Sequence, residues 1–259
     1  MGHTSPHLIH AGKNMNRLLP VIFILLLAWS PSARAALDLQ KLIREVEDQY
    51  VGRSSLARMD MEVSTENWQR RLTMEAWSLG RDYFLVRILE PPKERGVATL
   101  KVNQEVWNYL PKVDRVIKIP PSMMGGSWMG SHITNNDLVK AAHIDRDYSF
   151  SLLEETEDHW RIEGLPKPEA AVVWGKIVYQ IRKADRVPLL VEYFDEKMIK
   201  VRDIRFEDVR KVGDRTIPLR MTVQPVDDPQ ERTILHYKEI EFDISVEENF
   251  FSLGNLKRR

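Results

Sequence analysis

From about Leu56 to Phe242 the apolar residues recur at every second position. This constrains the fold more than any other feature of the chain. Met59, Met61 and Val63 alternate with Asp60 and Glu62, and Leu72, Met74 and Ala76 alternate with Thr73, Glu75 and Trp77. Successive side chains of a strand point to opposite faces, so this pattern describes half-buried strands. Polar Ser64-Thr65-Glu66-Asn67 supplies the turn between them, making a hairpin. Tyr83 to Leu89 is apolar at both parities and reads as a strand covered on both faces, ended by Pro91-Pro92. Val97 to Val102, Glu105 to Leu110 and Arg115 to Ile119 follow as short strands.

The second half keeps this character. Tyr148 to Leu153, His159 to Gly164, Val172 to Arg182, Pro188 to Phe194, Met198 to Phe206, Ile217 to Gln224 and Arg232 to Phe242 read as strands between turn-rich links. Strands so frequent, with so little helix between them, predict a mainly β (α+β) fold, a single large antiparallel curved sheet. One helix is expected at residues 38–50, where Leu39, Leu42, Ile43, Val46 and Tyr50 share a face, Asp38 can cap the start and Gly52 can end it. A shorter helix is expected at 136–142, with Asn136 or Asp137 at its start.

Between the halves lies a stretch of unusual composition. Residues 91–138 pass from Pro91-Pro92 through Val106-Trp107-Asn108-Tyr109 to Met123-Met124-Gly125-Gly126-Ser127-Trp128-Met129-Gly130. The last segment is too apolar for a solvated loop and too rich in Gly and Ser for a regular helix. If only this segment and the first helix cover the concave face, a partly open apolar cavity remains, suited to an apolar ligand. Its candidate lining is Trp77, Phe84, Trp107, Tyr109, Met123, Met124, Trp128 and Met129. Aromatic and Met side chains also fill ordinary cores. Trp128 and Met129, set between glycines, are expected to face the ligand.

The N-terminal residues carry an address. Lys13 and Arg17 precede a 12-residue apolar run, Leu18 to Trp29, followed by Ala33-Arg34-Ala35. That is the layout of a secretory signal peptide over residues 1–35, and the run falls short of the roughly 20 residues that span a bilayer. A cleaved, soluble domain of residues 36–259 is expected. Without any Cys there is no lipoprotein acylation point, disulfide or thiolate site. The 38 acidic residues all lie after residue 35, against 35 of the 38 basic ones. A slightly acidic domain is a poor partner for nucleic acid.

No motif argues for catalysis. In Gly125 to Gly130 the position two after Ser127 is Met129, so a nucleophile elbow does not fit, and neither the dinucleotide fingerprint nor the P-loop does. Ser127 and Ser131 read as structural. His132, His143, Asp145, Asp147 and His159 match no metal-ligand spacing. No metal, cofactor or enzymatic activity is expected. The charged runs Arg205 to Lys211 and Lys257 to Arg259 read as solvated surface, with a docking patch for a membrane partner as the functional alternative.

The central stretch resembles a known family. Pro-Pro-x-x-x-Gly at Pro91, Val-Trp-Asn-Tyr-Leu-Pro at Val106, Arg115-Val-x-Lys-Ile119 and Met129-Gly-Ser-His-Ile-Thr-Asn-Asn-Asp137-Leu138 are similar to the outer membrane lipoprotein-sorting proteins, relatives of the periplasmic carrier LolA. Val191-Glu-Tyr-Phe-Asp195, Lys200, Asp208-Val209, Gly213, Pro218, Met221 and Asn249-Phe250-Phe251 extend the likeness, which covers most of residues 40–256. The resemblance implies a half-open LolA/LolB-like β-barrel with a helical lid over a hydrophobic cavity. It also implies a periplasmic location and a non-enzymatic carrier of acyl chains from a lipid or an acylated protein. As partners it implies an inner-membrane transporter of the resistance-nodulation-division (RND) type or an outer-membrane receptor. A different reading is an accessory or sensor subunit docking on such a transporter or on a signalling protein.

Overall fold

Alternating strands need a sheet to share, and the computed structural model supplies one. It describes residues 37–140 and 143–258. The expected signal peptide lies outside the described residues. The described residues fall within one compact unit, Leu37–Arg259.

The first half runs β1 (Ser54–Ser64), β2 (Gln69–Leu79), β3 (Tyr83–Glu90), β4 (Ala98–Val102), β5 (Glu105–Leu110) and β6 (Arg115–Lys118). The second runs β7 (Tyr148–Glu155), β8 (His159–Pro166), β9 (Lys176–Arg182), β10 (Pro188–Phe194), β11 (Lys200–Val212), β12 (Arg215–Pro225) and β13 (Arg232–Phe242). All join one 13-stranded sheet in the order β6-β5-β4-β3-β2-β1-β13-β12-β11-β10-β9-β8-β7. Two meanders thus meet where β1 pairs antiparallel with β13, with Met61 opposite Leu235. The edges, β6 and β7, do not pair with each other, so the sheet is open and not a closed barrel.

Two strands differ from expectation. β9 begins at Lys176 rather than Val172, because Gly175 brings the chain against β10 too closely for a side chain: a Cβ there would lie 2.4 Å from the Asp195 carbonyl oxygen. β11 continues to Val212; its pairing with β10 ends at Arg205, so the charged run from Arg205 to Lys211 lies on a stretch paired only with β12, with Arg205, Glu207, Arg210 and Lys211 exposed.

Register shows which residues share a face. Phe206 opposes Met221, Met221 opposes Leu235, and Met61 opposes Leu235 on one side and Leu72 on the other. One apolar face therefore runs from the second meander into the first. α1 (Leu39–Val51) lies over its second half, with Leu42, Ile43 and Val46 packed against Ile177, Tyr179, Ile181 and Val191. Asp38 caps α1 by accepting from the Lys41 amide at 3.0 Å, and Gly52, at φ 61°, ends it. Burying those three side chains stabilises by roughly 5 to 9 kcal/mol before the entropy of ordering them.

The link from β6 to β7 joins the two edges across the same face. Its Trp128, Ile133 and Leu138 pack on β1 and β2, and its Ile144 packs under α1. It contains α2 (Asn135–Lys140) and α3 (Ile144–Asp147). Thr134 and Asp137 cap α2 reciprocally: the Asp137 carboxylate accepts from the Thr134 amide at 2.7 Å, and the Thr134 hydroxyl accepts from the Asp137 amide at 3.2 Å. The opposite face of β2 to β5 is covered by the C-terminal segment, where Phe251 and Leu256 of α4 (Leu253–Leu256) and its approach meet Leu85, Leu100 and Tyr109. β3 is accordingly covered on both sides, by Val86 and Ile88 inward and Leu85 outward.

Candidate functional site

The Met and Gly segment is a plug. Trp128, only 3% exposed, packs on the inner face of the first meander and donates its indole N–H to Thr99 Oγ1 at 3.1 Å. Its carbonyl accepts from the Ser131 hydroxyl at 2.7 Å, and the Ser127 hydroxyl donates to the Ser131 carbonyl. Both serines are thus spent on closing the turn. Met129 takes the left-handed conformation, φ 50°, and its carbonyl accepts from Arg70 Nη1 at 2.7 Å. These bonds tie the segment to β2 and β4 of the first meander.

A buried ion pair fastens the plug to the second meander. Arg202 on β11 makes a two-point contact with Asp137, Nη1 to Oδ2 at 2.8 Å and Nη2 to Oδ1 at 2.6 Å. Nη1 also donates to the His132 carbonyl at 3.1 Å. Its guanidinium lies 4.6 Å from the Trp174 ring centre and 4.5 Å from that of Tyr193. Burial pulls the Arg202 pKa down, but the Asp137 contact outweighs it and leaves it raised.

Beyond the plug, a cavity of about 280 Å³ remains between α1 and the second meander. Its walls are Val46 and Val51 of α1, Leu138 of α2, Val191 of β10, Ile204 of β11 and Met221 of β12. Three polar residues converge at one end: Glu47, Arg81 and Tyr179. The Tyr179 hydroxyl donates to Glu47 Oε1 at 3.0 Å, whereas the buried Glu47 Oε2 has no hydrogen-bond partner. Arg81 Nη1 stands 3.9 Å from that oxygen. Arg81 itself bonds Asp48 Oδ1 and Asp145 Oδ1, each at 2.8 Å, tying α1 and α3 to the turn after β2.

Burial pushes the Glu47 carboxyl up to about 8, outweighing the Tyr179 hydrogen bond and the Arg81 charge, while Asp145 and Asp48 add to the rise. Glu47 is therefore protonated at neutral pH. Burial also raises Asp145, but the bond from Arg44 at 2.7 Å and the charge of Arg81 hold it below the usual carboxylate range.

The eight candidate lining residues are divided by the fold. Phe84 and Met129 join Trp128 on the inner face. Trp77, Trp107 and Tyr109 lie on the outer face with the C-terminal segment, Trp77 5.5 Å from Phe250 between ring centres, and the Tyr109 hydroxyl donating to Asp114. Met123 is 60% exposed and Met124 half-buried. None of the eight lines the cavity. Glu47, missed in the sequence, had one signal: it stands four residues after Ile43, inside the apolar stripe of α1.

The His and carboxylate residues are dispersed: His132 contacts Thr233 and Glu231, His143 meets Asp82, and His159 bonds Thr156. No group of three that could hold a metal occurs among the described residues. Nor, among them, is any helix long and apolar enough to cross a membrane.

Comparison with known proteins follows the same lines. A family model described as "Uncharacterized protein" matches residues 80–258, more than half of the chain. No curated protein matches the sequence. Among solved structures, a domain assigned as an outer membrane lipoprotein-sorting protein from Vibrio parahaemolyticus is similar at 24% identity and a TM-score of 0.73, covering 85% of this chain and 98% of that one. A DUF1329-family protein from Desulfovibrio piger is similar at 20% identity and a TM-score of 0.76, covering 84% and 97%. A LolA superfamily protein from Nitrosomonas europaea is similar at 18% identity and a TM-score of 0.71, covering 85% and 100%. The chain belongs to the family that the matching model defines, and its fold is that of the LolA-like outer membrane lipoprotein-sorting proteins.

Proposed function

We propose that this protein is a periplasmic, non-enzymatic carrier that shelters an acyl chain of a lipid or acylated protein in the cavity between α1 and β9 to β12. The observation that carries this reading is the cavity itself, apolar on all sides but one. A methylene fills about the volume of a water molecule, about 30 Å³, so about 280 Å³ holds about nine of them. At about 0.8 kcal/mol each, their burial supplies about 7 kcal/mol, the scale of a micromolar dissociation constant. Such an affinity suits a carrier, which must also release its cargo to a receptor. The signal-peptide layout of residues 1–35 supports the periplasmic location. Transfer to or from a membrane partner, an RND-type transporter or an outer-membrane receptor, belongs to the same proposal.

The test is uptake of N-phenyl-1-naphthylamine, whose fluorescence rises in apolar surroundings, followed by its displacement with a medium-chain lipid. Wild type should bind one probe per chain. Val51→Trp, which fills the cavity from its rim, should abolish binding while leaving the circular dichroism spectrum unchanged. Equal uptake by both proteins would remove the cavity from the account.

A further inference from the structure

We infer that the polar end of the cavity selects a neutral amphiphile whose ester carbonyl or hydroxyl oxygen accepts a hydrogen bond from the Glu47 carboxyl. This deepens, and rests on, the acyl-binding reading. Of the two Glu47 oxygens, Oε1 is taken by the Tyr179 hydroxyl at 3.0 Å, and Oε2 is buried without any protein partner. A buried polar atom left unsatisfied is costly, and one facing a cavity marks where a ligand's polar group completes it. The Glu47 side chain lines the cavity and retains 13% exposure, whereas Oε2 itself is covered, so the inferred contact has the carboxyl turn toward the cavity when the ligand enters.

The surrounding charges decide what kind of group fits. Arg81, from the turn after β2, lines Glu47's end of the cavity, and behind it lie Arg44 and Asp48 of α1 and Asp145 of α3 in one ion-pair network. Arg44 pairs with Asp145 at 2.7 Å, and Arg81 pairs with Asp145 and Asp48, each at 2.8 Å. Two cations and two anions already balance one another. A carboxylate or phosphate entering here would bring a charge with no counter-charge to spare, into a wall that is otherwise apolar. A cationic head would meet the Arg81 guanidinium, whose Nη1 is 3.9 Å from Oε2. Tyr179 and Tyr193, the remaining titratable groups at the cavity, come from β9 and β10. Burial raises both, so they stay neutral over the ordinary pH range. A neutral acceptor meets neither charge penalty and satisfies Oε2.

The experiment measures displacement of N-phenyl-1-naphthylamine by methyl octanoate, octane, octanoate and octylammonium at pH 6, from wild type, Glu47→Gln and Glu47→Leu. Wild type should prefer methyl octanoate to octane by about tenfold, the worth of one buried hydrogen bond, and should bind both ions more weakly than the ester. Glu47→Leu should keep octane binding and lose the preference, whereas Glu47→Gln, whose amide can still donate, should keep part of it. Raising the pH to 9 should erase the preference in wild type and leave it in Glu47→Gln. Equal affinity for ester and octane in wild type, or tighter binding of either ion, overturns this inference and leaves the carrier reading standing. Failure of all four to bind overturns both.

Discussion

Replacing Glu47 by Gln should change how stability depends on pH. In the folded protein the Glu47 carboxyl keeps its proton up to about pH 8, against an ordinary value of 4.5. Below about pH 4.5 the group is protonated whether the chain is folded or not, and it adds nothing pH-dependent. Above that, the unfolded chain gives up the proton and the folded one does not, so the unfolded state binds fewer protons and stability falls as pH rises. The slope is about 1.4 kcal/mol per pH unit. From about pH 4.5 to about 8 the loss accumulates to about 5 kcal/mol, as much as the whole stability of a marginal domain. Water entering the cavity makes this an upper value. Gln carries no titrating proton, so Glu47→Gln should lack this slope while keeping the other groups' contributions. Urea unfolding at pH 5, 6, 7 and 8 measures it. The stability of Glu47→Gln relative to wild type should rise by about 1 kcal/mol per pH unit between 5 and 8, with m-values unchanged. Parallel curves for the two proteins would show that Glu47 titrates as an ordinary surface carboxylate, and the reasoning from burial would be refuted.

Other consequences concern the plug. Arg202→Met strips Asp137 of its buried partner and should destabilise by about 3 to 5 kcal/mol, lowering the thermal midpoint by roughly 6 to 20 °C. Calorimetry checks this, and a change under about 1 kcal/mol would contradict the two-point contact. Trp128→Ala should cost about 3 to 5 kcal/mol while leaving N-phenyl-1-naphthylamine affinity within about twofold, because Trp128 packs in the first meander and the cavity lies in the second. Asp38→Ala, which removes the cap of α1, should cost about 1 kcal/mol in urea unfolding.

Local patterns carried most of the fold. The period-two runs, the turns and the cap of α1 are determined by residues within a few positions of one another, and they are where the sequence puts them. The order of strands was not legible, because β1 and β13 are joined by a register between residues more than 160 positions apart. The outward placement of Trp77 could have been read: it alternates with Leu72, Met74 and Ala76 and so shares a face with Thr73 and Glu75. The burial of Trp128 could not, since its glycine neighbours suggest freedom and the bond to Thr99 comes from a distant strand. The same holds for Arg202. In sequence it is one of several charges on a strand, and only its contact with Asp137, 65 positions away, shows that it fastens the two halves. Glu47 is the intermediate case: its place in the apolar stripe was visible, but the cavity before it is built by α2, β10, β11 and β12 together.

The central claim is that an acyl chain lies beneath α1, in the cavity that Glu47 terminates. Native mass spectrometry with lipid extraction tests it most directly, on the full chain expressed in a Gram-negative host and purified from the periplasm without detergent. The account predicts one neutral amphiphile per protein, lost from Val51→Trp and retained by Trp128→Ala. A clean ligand-free mass, with no uptake when lipids or lipopeptides are added, would contradict it.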